Sequence, residues 1–134
     1  MLPLSYLDFP FALVENLNDF YMTSDKLPEV TKVHNILDSA RVLLKLPPRR
    51  IKLYVAEGSR AYKIEFYTPQ GVSKVPIGWL VYLPLEKRLD LFDATNSDVP
   101  IVQWKNKHVT WTSYSQLFQY AQVDKVFQGI VLSS

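Results

Sequence analysis

The sequence predicts an α+β fold, an antiparallel meander of about five strands with two helices before it and one after it, packed mainly on one face. Three observations carry that expectation. Apolar residues recur at three- and four-residue steps between Pro10 and Leu44, and the period changes to two from Ile51. The strand-like runs then follow one another without intervening helices, which separates this class from a parallel doubly wound sheet. A chain of 134 residues, 48% hydrophobic and 21% charged, matches a single globular core, so one domain spanning residues 1–134 is expected.

The first helix is expected over Pro10 to Met22, where Phe11, Val14, Leu17, Asn18 and Tyr21 share a helical spacing and Pro10 suits a first turn. The second opens at Leu27-Pro28-Glu29. Its stripe is Val30, Val33, Ile36, Leu37, Ala40, Leu43 and Leu44, and Pro47-Pro48 ends it. Ile51, Leu53 and Val55 alternate with Lys52, Tyr54 and Ala56, and after Gly58 the residues Tyr62, Ile64 and Phe66 alternate with Lys63 and Glu65. Both runs read as half-buried antiparallel strands. Thr68-Pro69-Gln70-Gly71 fits a type I turn. Ile77 to Leu83 is apolar on both faces, as a central strand should be, while Leu89 to Asp93 and Val99 to Trp104 are shorter and more polar. Thr112 or Ser113 is placed to cap a last helix through Tyr114, Leu117, Phe118 and Ala121, leaving Val126 to Leu132 as a short strand or extended tail.

Composition removes several function classes. The absence of cysteine excludes disulfides, thiolate nucleophiles and Cys-based metal sites. The stretch from Met1 to Pro10 lacks the basic region and long apolar run of a signal peptide, and no apolar run approaches the ~20 residues that span a bilayer, so a cytoplasmic protein with no membrane partner is expected. A formal charge of +2 does not by itself imply a polyanion partner. No H-E-x-x-H, EF-hand, Walker or dinucleotide glycine pattern is present, so no cofactor or metal is expected.

Two histidines, His34 and His108, are available for acid–base work near neutral pH. His34 borders the apolar stripe of the second helix, where a partly exposed structural histidine is the commoner outcome; His108 follows Lys105-Asn106-Lys107 in what reads as a solvated loop. Asp90, Asp93 and Asp98 fall within nine residues, and turn solvation accounts for them more simply than Mg²⁺ or Ca²⁺. Neither the serines nor any G-x-S-x-G elbow signals a nucleophile, so no catalytic residue is assigned.

The sharpest charge feature is Arg41 to Lys63, where seven cations stand against Glu57 alone, a local charge of +6. Arg49 and Arg50 are its centre, and such a stretch suits phosphate or an acidic protein surface. Arg41 and Lys45 also complement a helix dipole. Trp104 and Trp111 lie near polar neighbours, and exposed beside Lys105 and Lys107 they would form an interaction hot spot. Tyr54, Tyr62 and Phe66 on the basic strands offer stacking surfaces for bases. Binding candidates are therefore Trp104, Lys105, Lys107, Trp111, Arg49, Arg50, Asp90 and Asp93.

The run Gly78-Trp79-Leu80-Val81-Tyr82-Leu83-Pro84-Leu85-Glu86-Lys87-Arg88-Leu89-Asp90-Leu91-Phe92-Asp93 resembles the apolar strand, tight turn and Asp-ended strand of small bacterial immunity proteins, a meander that PepSY-like and cystatin-like domains share. That resemblance implies a protein-binding inhibitor whose partner is a cognate toxin or effector protein. Immunity proteins that occlude nucleases are often acidic, and this chain departs from them in its slight positive charge. The order of helices followed by a meander also resembles small toxin ribonucleases of the RelE and barnase-like group. There His34, Lys52, Arg60 and Lys63 would serve acid–base work and phosphate stabilisation. A nucleic-acid-binding module using residues 41–63 is the third expectation.

Overall fold

The computed structural model describes residues 10–23, 28–56, 61–95, 98–105, 108–111 and 120–132. The fold is α+β, as the periodicities predict, with seven strands among the described residues where about five were expected. They are β1 (Phe11–Leu13), β2 (Ile51–Ala56), β3 (Ala61–Phe66), β4 (Gly78–Leu83), β5 (Arg88–Asp93), β6 (Val102–Lys105) and β7 (His108–Trp111). They form one sheet in sequential order, antiparallel at every junction. Three α-helices accompany it: α1 (Leu17–Thr23), α2 (Pro28–Leu44) and α3 (Tyr120–Leu132). No helix among the described residues is long and apolar enough to cross a membrane.

The expected first helix is in fact a strand and then a helix. Phe11–Leu13 pairs with Tyr54–Ala56 along the edge of β2, and Val14 N donates to Leu53 O at 2.9 Å. Helix α1 begins only behind Asn16, whose Oδ1 accepts the Asp19 backbone N–H at 3.0 Å. An N-cap residue keeps an extended backbone of its own, so Asn16 sets the point where strand gives way to helix.

Helix α2 ends as its sequence requires. Lys45 adopts φ 55°, Leu46 N reaches back to Arg41 O at 2.9 Å, and Lys45 N reaches Val42 O at 3.2 Å. This is a Schellman cap, with Leu46 buried as its apolar partner and Pro47-Pro48 barring continuation. At the other end of the chain, Val126–Leu132, expected as strand or tail, lies within α3. Val123, Phe127 and Val131 are spaced by four and all are buried, a helical stripe that the short apolar run concealed. The expected helix over residues 112–119 lies outside the described residues. The expected strand Val99–Trp104 is shifted to Val102–Lys105, and His108, expected in a loop, opens β7 in register with Lys105.

Strand alternation sorts the sheet into two faces. Leu53, Ile64, Leu80, Leu91 and Val102 stand side by side across five strands and pack with Val33, Ile36, Leu37 and Ala40 of α2 and with Val123 and Phe127 of α3. Leu17 and Phe20 of α1 join the same core. The second face carries Lys52, Tyr54, Lys63, Glu65, Trp79, Arg88 and Asp90, with a smaller cluster of Ala56, Ala61, Val81, Leu83 and Phe92. Among the described residues, the charged side chains Lys52, Lys63, Glu65, Arg88, Asp90 and Lys105 share that second face, while Asp93 ends β5 on the first.

Candidate anion-binding site

Immediately after the α2 cap, Pro48–Arg50 forms one short 3₁₀ turn that places two consecutive arginines differently. Arg49 is exposed, whereas Arg50 retains only 8% of its exposure. The Arg50 guanidinium is fixed by Nε donating to Thr68 O at 2.7 Å and Nη2 donating to Thr68 Oγ1 at 3.1 Å. It lies 5.4 Å from the centre of the Tyr67 ring, and the Lys52 ammonium lies 5.1 Å from the same ring. A cation held over an aromatic face is attracted to its π-density, so one tyrosine orients two positive groups.

The connection between β3 and β4 completes the enclosure. Gly71 turns it at φ +93°, a value at which a Cβ is strained, and Val75 N donates to Ser73 Oγ at 3.3 Å. The result is a pocket of about 270 Å³ whose wall contains Arg49, Arg50, Lys52 and Lys74, with Tyr67 and Ser73, and no carboxylate among the lining residues. Arg49, Lys52 and Lys74 enter no ion pair among the described residues. Opposite charge is what such a wall attracts, and Arg50 is held in place before any ligand arrives.

A network beside the pocket neutralises the Glu65 carboxylate. Tyr67 donates its hydroxyl to Glu65 Oε1 at 2.9 Å, and Lys63 Nζ meets Glu65 Oε2 at 3.0 Å. The Lys63 ammonium also lies 5.2 Å from the Trp79 ring, 5.7 Å from Tyr54 and 6.0 Å from Phe11. Burial alone would raise the Glu65 carboxyl, but Lys63, Tyr67 and Tyr54 together hold it below the ordinary carboxylate value. Burial, reinforced by Glu65, pushes the Tyr67 phenol well above its ordinary value. Tyr54 rises for the same two reasons. These tyrosines stay protonated and donate, so the network is suited to holding shape and charge and not to removing protons.

Of the expected site residues, Arg49 and Arg50 are brought together, and Lys52 joins them. Trp104 is corrected: it is fully buried, with Nε1 donating to Asp124 Oδ1 at 3.0 Å and its ring 5.3 Å from Phe127, so it forms no exposed tryptophan pair. Asp90 is likewise enclosed, gripped by Arg88 through three contacts of 2.9 to 3.2 Å. Asp93 accepts from Thr95 N and Oγ1 at 2.9 and 2.8 Å, which makes it a turn residue. No acidic cluster suited to a metal forms among the described residues. Lys105 is exposed at the end of β6, far along the sheet from the basic pocket. Lys107, Arg60 and the side chains of His108 and Trp111 lie outside the described residues.

The ribonuclease set is not assembled from its described members. His34 is exposed on α2, its ring edge-on to Tyr21 at 4.7 Å, on the helix side of the sheet, while Lys52 and Lys63 lie on the second face. The stacking set divides in the same way: Tyr62 and Phe66 face the helices inside the core and only Tyr54 faces outward. Lys74, Ser73 and Tyr67 were not anticipated from the sequence. Lys74 lies outside the basic run, and only the long β3–β4 connection folds it back onto Arg49. No protein-family model, curated protein or solved structure matches the chain.

Proposed function

We propose that this chain is a binding protein, most concretely an immunity-type inhibitor, that captures an acidic surface of a partner protein in the Arg49–Arg50–Lys52–Lys74 pocket. The observation that carries the reading is the composition of that wall: four cations, two of them oriented by Tyr67, and no carboxylate among the lining residues. An acidic patch docking there meets charges already positioned, which favours encounter rate and register. The opposite sides taken by His34 and the sheet lysines count against the ribonuclease reading. The burial of Tyr62 and Phe66 counts against base stacking, and so favours a protein over a single-stranded nucleic acid.

The test is capture from a lysate of the source cell with the purified chain, at low and high salt and with nuclease treatment, comparing the wild type with the double reversal Arg49→Glu/Lys74→Glu. Both residues are exposed, so the fold tolerates the change. The expected result is an acidic protein partner that resists nuclease and is lost on charge reversal, with its affinity for the wild type falling about tenfold or more from low to high salt. Recovery of RNA that nuclease removes, or of a protein indifferent to the reversal, overturns the proposal.

A further inference from the structure

A second cavity shares a wall with the basic pocket. It measures about 540 Å³, and its apolar lining is Leu13, Val14, Leu17, Ile51 and Leu53. Arg49 and Lys52 line both cavities, so the two are one continuous surface with cations at the junction. Glu15 is the one carboxylate among the lining residues of the groove, and it is exposed.

The groove follows from a mismatch in strand length. Strand β1 covers β2 only from Tyr54 to Ala56, and the last bond on that side is Val14 N to Leu53 O. The chain then turns into α1 at Asn16, and among the described residues no strand pairs with the first residues of β2 on that side. Arg50 O is directed to β3, where Tyr67 N donates to it at 3.0 Å, and Leu53 O is directed to β1. Backbone groups alternate sides along an antiparallel strand, so the N–H and C=O of Ile51 face the groove. Exposed apolar side chains gather around the same surface: Leu13 is 45% exposed, Val72 in the basic pocket wall 91%, and Val75 beyond it 70%.

We infer that groove and pocket together hold one extended segment of the partner in which apolar and acidic residues alternate. Its apolar side chains rest on the half-buried Leu17 and on Leu13 at the rim, above a floor of buried Ile51, and its carboxylates meet Arg49, Lys52 and Lys74. An extended chain presents its side chains on alternate sides and offers backbone groups to the side of Ile51 that no described strand pairs with, a combination the surface matches in charge and in polarity. This inference rests on the acidic-partner reading and specifies the partner's form.

The experiment titrates the full chain, at about 0.15 M salt, with an alternating Glu-Val peptide, an alternating Glu-Ser peptide of the same length and charge, and polyuridylate, reading affinity by calorimetry and the contact surface by amide NMR shifts. The Glu-Val peptide is expected to bind about tenfold more tightly than Glu-Ser, the difference that burying one or two aliphatic side chains supplies. Leu13→Ser should remove that advantage and leave Glu-Ser binding unchanged, and Lys74→Glu should weaken both; an unchanged NMR spectrum away from the groove shows that each variant is folded. Equal affinity for the two peptides, or an advantage that survives Leu13→Ser, overturns the segment inference and leaves the acidic-partner reading standing. Binding of polyuridylate alone, or of no probe, overturns both.

Discussion

Glu65 shows how a single carboxylate sets the character of its surroundings. It keeps 9% exposure, and its two oxygens are taken by Tyr67 and Lys63. Because its folded-state value is held below the ordinary 4.5, its contribution to stability is present above that value and is lost as pH falls through the lower one. Glu65→Gln removes the titration. The expected outcome, read by urea unfolding between about pH 6 and pH 3, is a shallower acid loss of stability in the variant than in the wild type. Parallel acid profiles would show that Lys63 and the tyrosines do not favour the ionised form. The residue scale is also where the sequence misled most. The polar neighbours of Trp104 suggest an exposed hot spot, but in a strand Gln103 and Lys105 point to the opposite face, so they indicate which side is wet and not that the tryptophan is. Arg49 and Arg50 were legible because they are adjacent in a charge run; Lys74 was not, because only tertiary folding brings it to them.

At the scale of elements, β5 carries a polar pair through a place where polar groups are costly. Arg88 and Asp90 sit two residues apart on its second face, 6% and 0% exposed, and hold each other at 2.9 to 3.2 Å. Burial pushes the Asp90 carboxyl upward, and the Arg88 guanidinium opposes that shift. Removing one partner strands a charge in a dry setting, which typically costs about 3–5 kcal/mol, whereas replacing both by apolar side chains of similar volume is often close to neutral. Arg88→Leu should therefore lower the unfolding free energy by about that amount, and Arg88→Leu/Asp90→Leu should recover most of it, measured by denaturant midpoints in a double-mutant cycle. Additive losses would mean that the pair is not coupled. Elements were legible where a pattern persisted: α2 has an apolar stripe along its 17 residues and a proline stop, the sequences of β2 and β3 alternate, and β4 is a continuous apolar run. Strand β1 is three residues long and exists through pairing with β2, which no local pattern records. Strands β6 and β7 have four residues each, too few for an alternation to declare itself.

The whole molecule joins a local sheet to a non-local layer. From β2 onward each strand pairs with its chain neighbours in the sheet, so that part of the meander needs little long-range organisation, but β1 joins it across α1 and α2, and α2 and α3, far apart in sequence, meet over the same sheet face. Lys32 Nζ reaches Val131 O at 3.4 Å across ninety-nine positions, and Phe127 packs its ring on Trp104 at 5.3 Å. Phe127 is fully buried, so Phe127→Ala should cost about 3–5 kcal/mol. The more informative consequence concerns where protection disappears. If the helical layer and sheet form one cooperative unit, hydrogen exchange in the variant accelerates together in α2, β5 and β6, because Trp104, Leu89 and Leu91 lose the layer that covers them. Acceleration confined to α3 would instead make the helix a detachable cover over a self-sufficient sheet. The basic pocket separates these outcomes functionally. It is built from the Pro48–Arg50 turn, β2 and the β3–β4 connection, with no residue from α3 in its lining. Under the first outcome, capture of an acidic partner should weaken in step with stability near the unfolding midpoint. Under the second it should persist after α3 is released.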